Sequence, residues 1–289
     1  MPQILHVEIE NRGLNRLNNL HKPSIITDLN IPNSKKSSQK YVLKTKICGI
    51  TDEKALKYAD YYGADFIGFI NVKRSPRFQS MNKIKYLAGL LNNPEKAVLV
   101  LEPENAEEAF TKIKKSGIKN IQLHSLDLDN LGALKKLIHQ EINSGVSKDN
   151  YGDNNSTNKK YYYINIIRAV GLNDNINPAK KEEIKSFSKK CDGILFDYHF
   201  KGITGGTGKQ IPLKIAIGAA EIAKSTNSNI KIFLAGGMDY NQIKIEGKTI
   251  SKYFDVVDFN SSLEDFPGIK NKNKIKDLLE LTKKLNWRC

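Results

Sequence analysis

Residues 193–208 read GILFDYHFKGITGGTG, an apolar run closing on an acid, Asp197, with Gly205, Gly206, Thr207 and Gly208 following soon after. A short apolar run of this kind is the signature of a strand buried on both faces. An acid placed directly behind it finds few partners inside a core, so it is expected to point into an opening. Glycines beyond it expose backbone N–H groups that can cradle an anion. An open doubly wound sheet carries its glycine-rich phosphate turn early. Here the glycine-rich segments come late, after the sixth and seventh apolar runs, and that favours a closed barrel.

Outward from this stretch, eight runs read as strands, at 45–48, 65–70, 97–101, 120–124, 162–169, 193–197, 231–235 and 255–259. Segments with helical spacing lie between them, at 53–61, 81–91, 106–115, 131–142, 180–190 and 212–223, and 275–285 closes the last unit. Strand and helix alternating in this way predict a parallel sheet, and eight such units close it without an edge. The expected fold is α/β, a single-domain (β/α)8 TIM barrel over residues 44–289. Residues 1–43, rich in Asn, Ser, Lys and Pro, read as a flexible N-terminal extension with one weak helical spacing at Leu14, Leu17 and Leu20. A polar insertion is expected at about 143–160. Standing before the fifth strand, it would emerge on the N-terminal face, away from the usual active site.

The bulk composition agrees with one soluble unit. The chain has 289 residues, 39% hydrophobic and 27% charged, and barrels of this type use about 250 residues as one domain. No stretch approaches the roughly 18 apolar residues of a membrane span. Glu8, Glu10 and Arg12 interrupt the first apolar residues, which argues against a secretory signal. Cys48, Cys191 and Cys289 are odd in number and widely spaced, so neither a disulfide framework nor a zinc ribbon is expected, and a cytoplasmic location fits. The net charge of +15 would suit nucleic acid, but its lysines are spread over the whole chain with Asn and Ile rather than gathered in a stripe, so no nucleic-acid partner is expected. The histidines show no metal spacing, and no metal is expected.

In this fold the working groups stand at the C-terminal ends of strands. Cys48 ends the first run, with Gly49 behind it to let a substrate approach the sulfur; the blander reading is a small buried thiol. Asp197 ends the sixth. The loop 73–77 after the second is basic, and its Arg77 could grip a planar carboxylate through two parallel hydrogen bonds, or the loop could simply be solvated. Gly206 and Gly208 after the sixth run, Gly236 and Gly237 after the seventh, and Ser261 and Ser262 after the eighth converge on phosphate-site chemistry, although each glycine alone could serve a turn. His124 could cap the end of strand four.

At these positions the chain resembles the phosphoribosylanthranilate isomerase family. The likeness rests on Lys46-Ile47-Cys48-Gly49-Ile50-Thr51, Gly63-Ala64-Asp65, Ser75-Pro76-Arg77, Gln122-Leu123-His124, Asp197 with Gly205-Gly206-Thr207-Gly208-Lys209, Ala235-Gly236-Gly237 and Phe266-Pro267-Gly268. It runs from about Lys44 to Leu285. The resemblance implies an aldose–ketose isomerase of tryptophan biosynthesis that needs no cofactor. The reaction implied is the Amadori rearrangement of a small phosphorylated substrate, N-(5'-phosphoribosyl)anthranilate, by a monomer or homodimer. Carried over residue by residue, it makes Cys48 the general base, Asp197 the general acid and Arg77 the clamp for the anthranilate carboxylate, with the glycines and Ser261 and Ser262 around the phosphate. The chain departs from the family at Asn71-Val72-Lys73, Leu101-Glu102-Pro103 and Asn260-Ser261-Ser262, so the wall around the anthranilate ring is expected to differ. The competing readings are another phosphate-binding barrel, such as a sugar-phosphate epimerase, and a non-catalytic basic barrel that binds RNA.

Overall fold

Runs of β-branched and apolar residues that are covered on both faces form the centre of the molecule. The computed structural model describes residues 42–146, 163–200, 203–204 and 210–287. Its strands are β1 (Lys44–Cys48), β2 (Phe66–Asn71), β3 (Ala97–Leu101), β4 (Asn120–Leu123), β5 (Asn165–Leu172), β6 (Gly193–Phe200), β7 (Lys231–Leu234) and β8 (Val256–Phe259). Each pairs in parallel with the next. β8 pairs back onto β1, with Lys46 opposite Asp258 and Ile47 opposite Phe259, so the ring closes and has no free edge. This is the (β/α)8 barrel that the alternation predicts.

The outer ring consists of α1 (Glu53–Tyr61), α2 (Met81–Gly89), α3 (Ala106–Ser116), α4 (Leu128–Val146), α5 (Pro178–Lys190), α6 (Leu213–Thr226), α7 (Tyr240–Tyr253) and α8 (Lys272–Trp287). Asp52, Ser80, Asn105, Asn177 and Asp239 each accept a backbone N–H from the first turn behind them, which fixes where α1, α2, α3, α5 and α7 begin. Apolar side chains fill two layers. One lies between strands and helices and includes Ile47, Ile67 and Phe259; the other lies inside the barrel and includes Cys48, Ile167, Leu195 and Phe233.

Several boundaries differ from the sequence expectation. Helix α7 was not among the expected helices, because its buried face is only Ile243, Gly247 and Ile250. Gly247 is there because Leu285 of α8 presses on it: a Cβ would come within 2.6 Å of Leu285 Cδ1. Strand β6 continues three residues past Asp197 and pairs with Ile203–Thr204 in a short antiparallel hairpin. Helix α4 runs to Val146, into the segment expected as an insertion, and most of that segment lies outside the described residues. So does the expected extension up to residue 41, including Leu14, Leu17 and Leu20. Leu43 is already packed, its backbone exchanging two hydrogen bonds with the Asn286 side chain of α8. Behind β8 comes a second small hairpin, β9 (Glu264–Phe266) and β10 (Ile269–Lys270), turning at Pro267 and Gly268. Among the described residues no helix is long and apolar enough to cross a membrane.

Candidate active site

Because side chains alternate along a strand, Lys46 and Cys48 share one face of β1 and both point into the barrel, while Ile47 points out to the helices. Glycine on the neighbouring strand makes room for them. A Cβ at Gly68 would lie 2.7 Å from Cys48 Sγ and 3.2 Å from Lys46 Cε. Lys46 is completely buried. Its ammonium donates to Asp258 Oδ2 at 2.7 Å and to Gln122 Oε1 at 2.8 Å. Its charge also acts on the sulfur of Cys48, its neighbour on the same face of the strand.

Gln122 passes the network on. Its amide nitrogen stands 2.8 Å from His124 Nε2 and must donate, since its oxygen already accepts from Lys46. That makes the imidazole an acceptor at Nε2 and neutral, and burial, Lys46 and Arg168 push its pKa down to about 4. His124 is thus tied to the barrel interior and does more than cap β4.

Asp197 lies at the mouth, buried, accepting the N–H of Tyr198 at 2.8 Å. Burial lifts its pKa to about 7; the Tyr198 N–H opposes this, the nearby charge of Asp258 adds to it, and Lys46 opposes it. Burial likewise pushes the Cys48 thiol up, while Lys46 draws it down, Asp258 raises it and Lys270 lowers it. Thiol and carboxyl therefore both feel the same buried pair, Lys46 and Asp258. Gly236 closes against the acid, where a Cβ would sit 3.2 Å from Asp197 Oδ1.

Arg77 is buried rather than solvated, and it already holds a carboxylate. Its Nε and Nη2 donate to the two oxygens of Glu264 at 2.8 and 2.6 Å, the parallel geometry that a guanidinium favours. Nη1 makes no hydrogen bond among the described residues. Glu264 also accepts from Lys270 at 2.8 Å, and Lys270 donates to the backbone and side-chain oxygens of Asn260 at 3.0 and 2.8 Å. Gly49 serves this cluster. At φ +75° it passes so close to Asn260 and Arg77 that a Cβ would meet them at 2.6 and 2.8 Å, so its conformation and these two side chains already require glycine here. Thr51 donates to the carbonyl of Gly268 at 2.6 Å, tying the end of β1 to the β9–β10 hairpin.

The expected anion loops are partly described. Gly236 and Gly237 have φ of +85° and +67° and turn the chain between β7 and α7. The Ser262 hydroxyl donates to the Met238 carbonyl at 2.7 Å and so joins the loops after β7 and β8, whereas Ser261 is exposed. Gly206 and Gly208 lie outside the described residues. The departures at 101–103 leave a trace too: Glu102 receives two hydrogen bonds from Arg74, both at 2.8 Å, across the loops behind β2 and β3.

Sequence reasoning passed over Lys46, Gln122, Asp258, Glu264 and Lys270. The first three carried a signal, since a polar side chain at an inward position of a strand otherwise apolar demands a partner of its own. Glu264 and Lys270 had none, because their meeting depends on the hairpin.

Comparison with known proteins bears on this arrangement. The family described as N-(5'phosphoribosyl)anthranilate (PRA) isomerase matches residues 149–281. An N-(5'-phosphoribosyl)anthranilate isomerase of Methanothermobacter marburgensis is 31% identical over 246 residues, covering 85% of this chain and 97% of the relative. The crystal structure of phosphoribosyl anthranilate isomerase from Thermotoga maritima superposes with a TM-score of 0.64 at 21% identity, covering 84% of this chain and all of that one. A second, in complex with reduced 1-(o-carboxyphenylamino)-1-deoxyribulose 5-phosphate, superposes with a TM-score of 0.59 at 20% identity and the same coverage. A closed barrel with these side chains at its mouth, matched along nearly the full length of such a relative, places the chain in the N-(5'-phosphoribosyl)anthranilate isomerase family.

Proposed function

We propose that this chain catalyses the Amadori rearrangement of N-(5'-phosphoribosyl)anthranilate to 1-(o-carboxyphenylamino)-1-deoxyribulose 5-phosphate, with Asp197 as general acid and Cys48 as general base. The observation that carries the assignment of roles is that the acid on β6 and the thiol on β1 stand at the same end of the barrel, near one buried ion pair, Lys46 and Asp258. Asp197, with a pKa of about 7, still holds its proton in a large fraction of molecules near neutrality. That proton goes to the ribose ring oxygen as the C1′–O bond breaks, leaving an iminium at C1′. The iminium acidifies the C2′ hydrogen. Cys48 as thiolate takes that proton, the C2′–H bonding pair becomes the C1′–C2′ double bond while the iminium pair returns to nitrogen, and the neutral enolamine becomes the ketone as the C2′ hydroxyl loses its proton and C1′ gains one.

Binding follows from the cluster beside the base. Arg77 is held rigid by Glu264 with Nη1 uncommitted, which suits an edge-on contact to the anthranilate carboxylate. The turn at Gly236 and Gly237, ahead of α7, and the loop at Ser261 and Ser262, joined to it through Met238, suit the phosphate. Steady-state assays following the loss of substrate fluorescence test the reading. Cys48→Ser and Asp197→Asn are each expected to lower kcat by roughly 10²–10⁴-fold with circular dichroism unchanged, and near-normal turnover in both would refute the roles. Arg77→Ala is expected to act chiefly on KM.

A further inference from the structure

A lysine with no exposure, inside a barrel whose interior is otherwise largely apolar, needs an explanation beyond packing. Burying an ammonium costs several kcal/mol, and one counterion repays that poorly unless the remaining protons are also satisfied. An ammonium has three N–H bonds. Asp258 and Gln122 take two of them, and the sulfur of Cys48 is the next side chain along the same inward face of β1, both groups crowding the space that Gly68 leaves open.

The charged groups facing the thiol are Lys46 on its own strand, Asp258 on β8 and Lys270 on β10. Arg77 stands beside Gly49, the residue after the thiol, and the inward residues of β2, Gly68 and Ile70, carry no charge. Lys270 and Arg77 both spend their charge on Glu264. Taken together, three cations meet two carboxylates, and with Asp197 in its acid form one positive charge is left over. A thiolate at Cys48 completes the balance, and Lys46 is the cation nearest to it along the strand.

We propose that Lys46 is a positioning residue that favours the thiolate form of Cys48 against the burial that opposes it, with Asp258 and Gln122 fixing the ammonium beside the sulfur. The proposal rests on the reading of Cys48 as base, and it extends that reading by naming the source of the positive potential the base requires. Asp258 has the opposite influence: it orients the lysine and at the same time weakens its effect on the sulfur. Its second oxygen, Oδ1, is buried without a partner among the described residues, so its charge is less fully compensated than that of Glu264.

The test reads the thiol itself. Iodoacetamide alkylation of the full-length protein is followed across pH by mass spectrometry of the Cys48 peptide, which separates it from Cys191 and Cys289. In Lys46→Met the ionisation midpoint of Cys48 is expected to rise by at least about one pH unit, a tenfold loss of thiolate at any pH below it. In Asp258→Asn it is expected to fall. The double variant Lys46→Met/Asp258→Asn removes both charges, avoids leaving a buried carboxylate alone, and is expected to show a smaller rise. The acid limb of kcat is expected to move with the midpoint while KM stays within about twofold, a split that a merely structural role would not produce. A Cys48 midpoint at its wild-type value in a folded variant lacking Lys46 overturns the proposal. Turnover surviving in Cys48→Ser overturns the base assignment and leaves the alkylation result standing, so the two failures are told apart.

Discussion

The two ends of the barrel interior are made of different material, although the same strands supply both. Towards the N-terminal ends lie Phe66, Ile167, Gly193 and Phe233, with the rings of Phe66 and Phe233 tilted against each other 5.9 Å apart. They form the floor of a half-open pocket of about 280 Å³ whose rim is polar and includes Asn120, Asn165 and Asp192. Towards the C-terminal ends the inward positions become Lys46 and Cys48 on β1, Asp197 on β6 and Asp258 on β8, where Lys46, Asp258 and Asp197 are held by hydrogen bonds while Asp258 Oδ1 has no partner among the described residues. Dispersion forces tolerate a void at modest cost, but a buried charge does not tolerate a missing partner. Substitutions at the lower end should therefore cost stability alone, and those at the upper end should cost stability, activity or one at the expense of the other.

The largest effect is expected at Glu264, whose side chain is 4% exposed and balances two cations at once. Glu264→Gln leaves both Arg77 and Lys270 buried without a counter-charge. The expected loss is roughly 3–5 kcal/mol of unfolding free energy, measured by urea titration. KM is expected to rise as well, because the guanidinium loses the fork that orients it. A loss below about 1 kcal/mol would mean that solvent reaches this cluster, and the contrast between the ends would collapse.

Asp197 sharpens the contrast from the opposite side. Its folded pKa of about 7 lies above the value of roughly 4 expected for an unfolded chain. Between those two values the native state binds more protons than the unfolded state, so the contribution of this carboxyl to stability is complete below pH 4 and is lost as pH rises to 7. The penalty above pH 7 is on the order of 4 kcal/mol. Asp197→Asn never ionises and can still accept the Tyr198 N–H. It is expected to match the wild type near pH 4.5 in urea midpoint and to exceed it at pH 8, while losing turnover. A gap between the two proteins that does not vary with pH would show that the acid is not held under strain.

How much of this was legible in the sequence follows from the range of the interactions. Strand alternation and the glycines are local properties, so the eight runs, the barrel and the positions of Cys48 and Asp197 could be read directly. Helix α7 escaped because Ile245 is exposed and Gly247 is determined by Leu285, on a different helix. Lys46 and Asp258 stood in plain view as charges within apolar strands, yet only the closure of β8 onto β1 makes them partners. Arg77 shows the limit most clearly. Its type and place suggested a free clamp, but its partner Glu264 is 187 positions away and arrives on a hairpin that no periodicity announces.

The smallest effect belongs to the lower end. Phe233→Leu removes one ring of the contact with Phe66 and enlarges a space that is already open. Aromatic pairs add about 0.5–1.5 kcal/mol beyond the area they bury, and leucine restores part of the lost volume, so the expected destabilisation is about 1–2 kcal/mol. Gly193 points the same way: a Cβ there would lie 3.1 Å from Phe233 and 3.2 Å from Ile167, and Phe233→Leu relieves the first of these contacts, so it should lessen the cost of Gly193→Ala. In both variants kcat/KM is expected to stay within about twofold of the wild type, because conserving or altering the lower end leaves the ion pair beneath Cys48 where it is. Were Phe233→Leu to lower kcat/KM tenfold with only this small loss of stability, the two ends would have to be mechanically coupled through β7 and β8, and their separation into a packing end and a chemical end would fail.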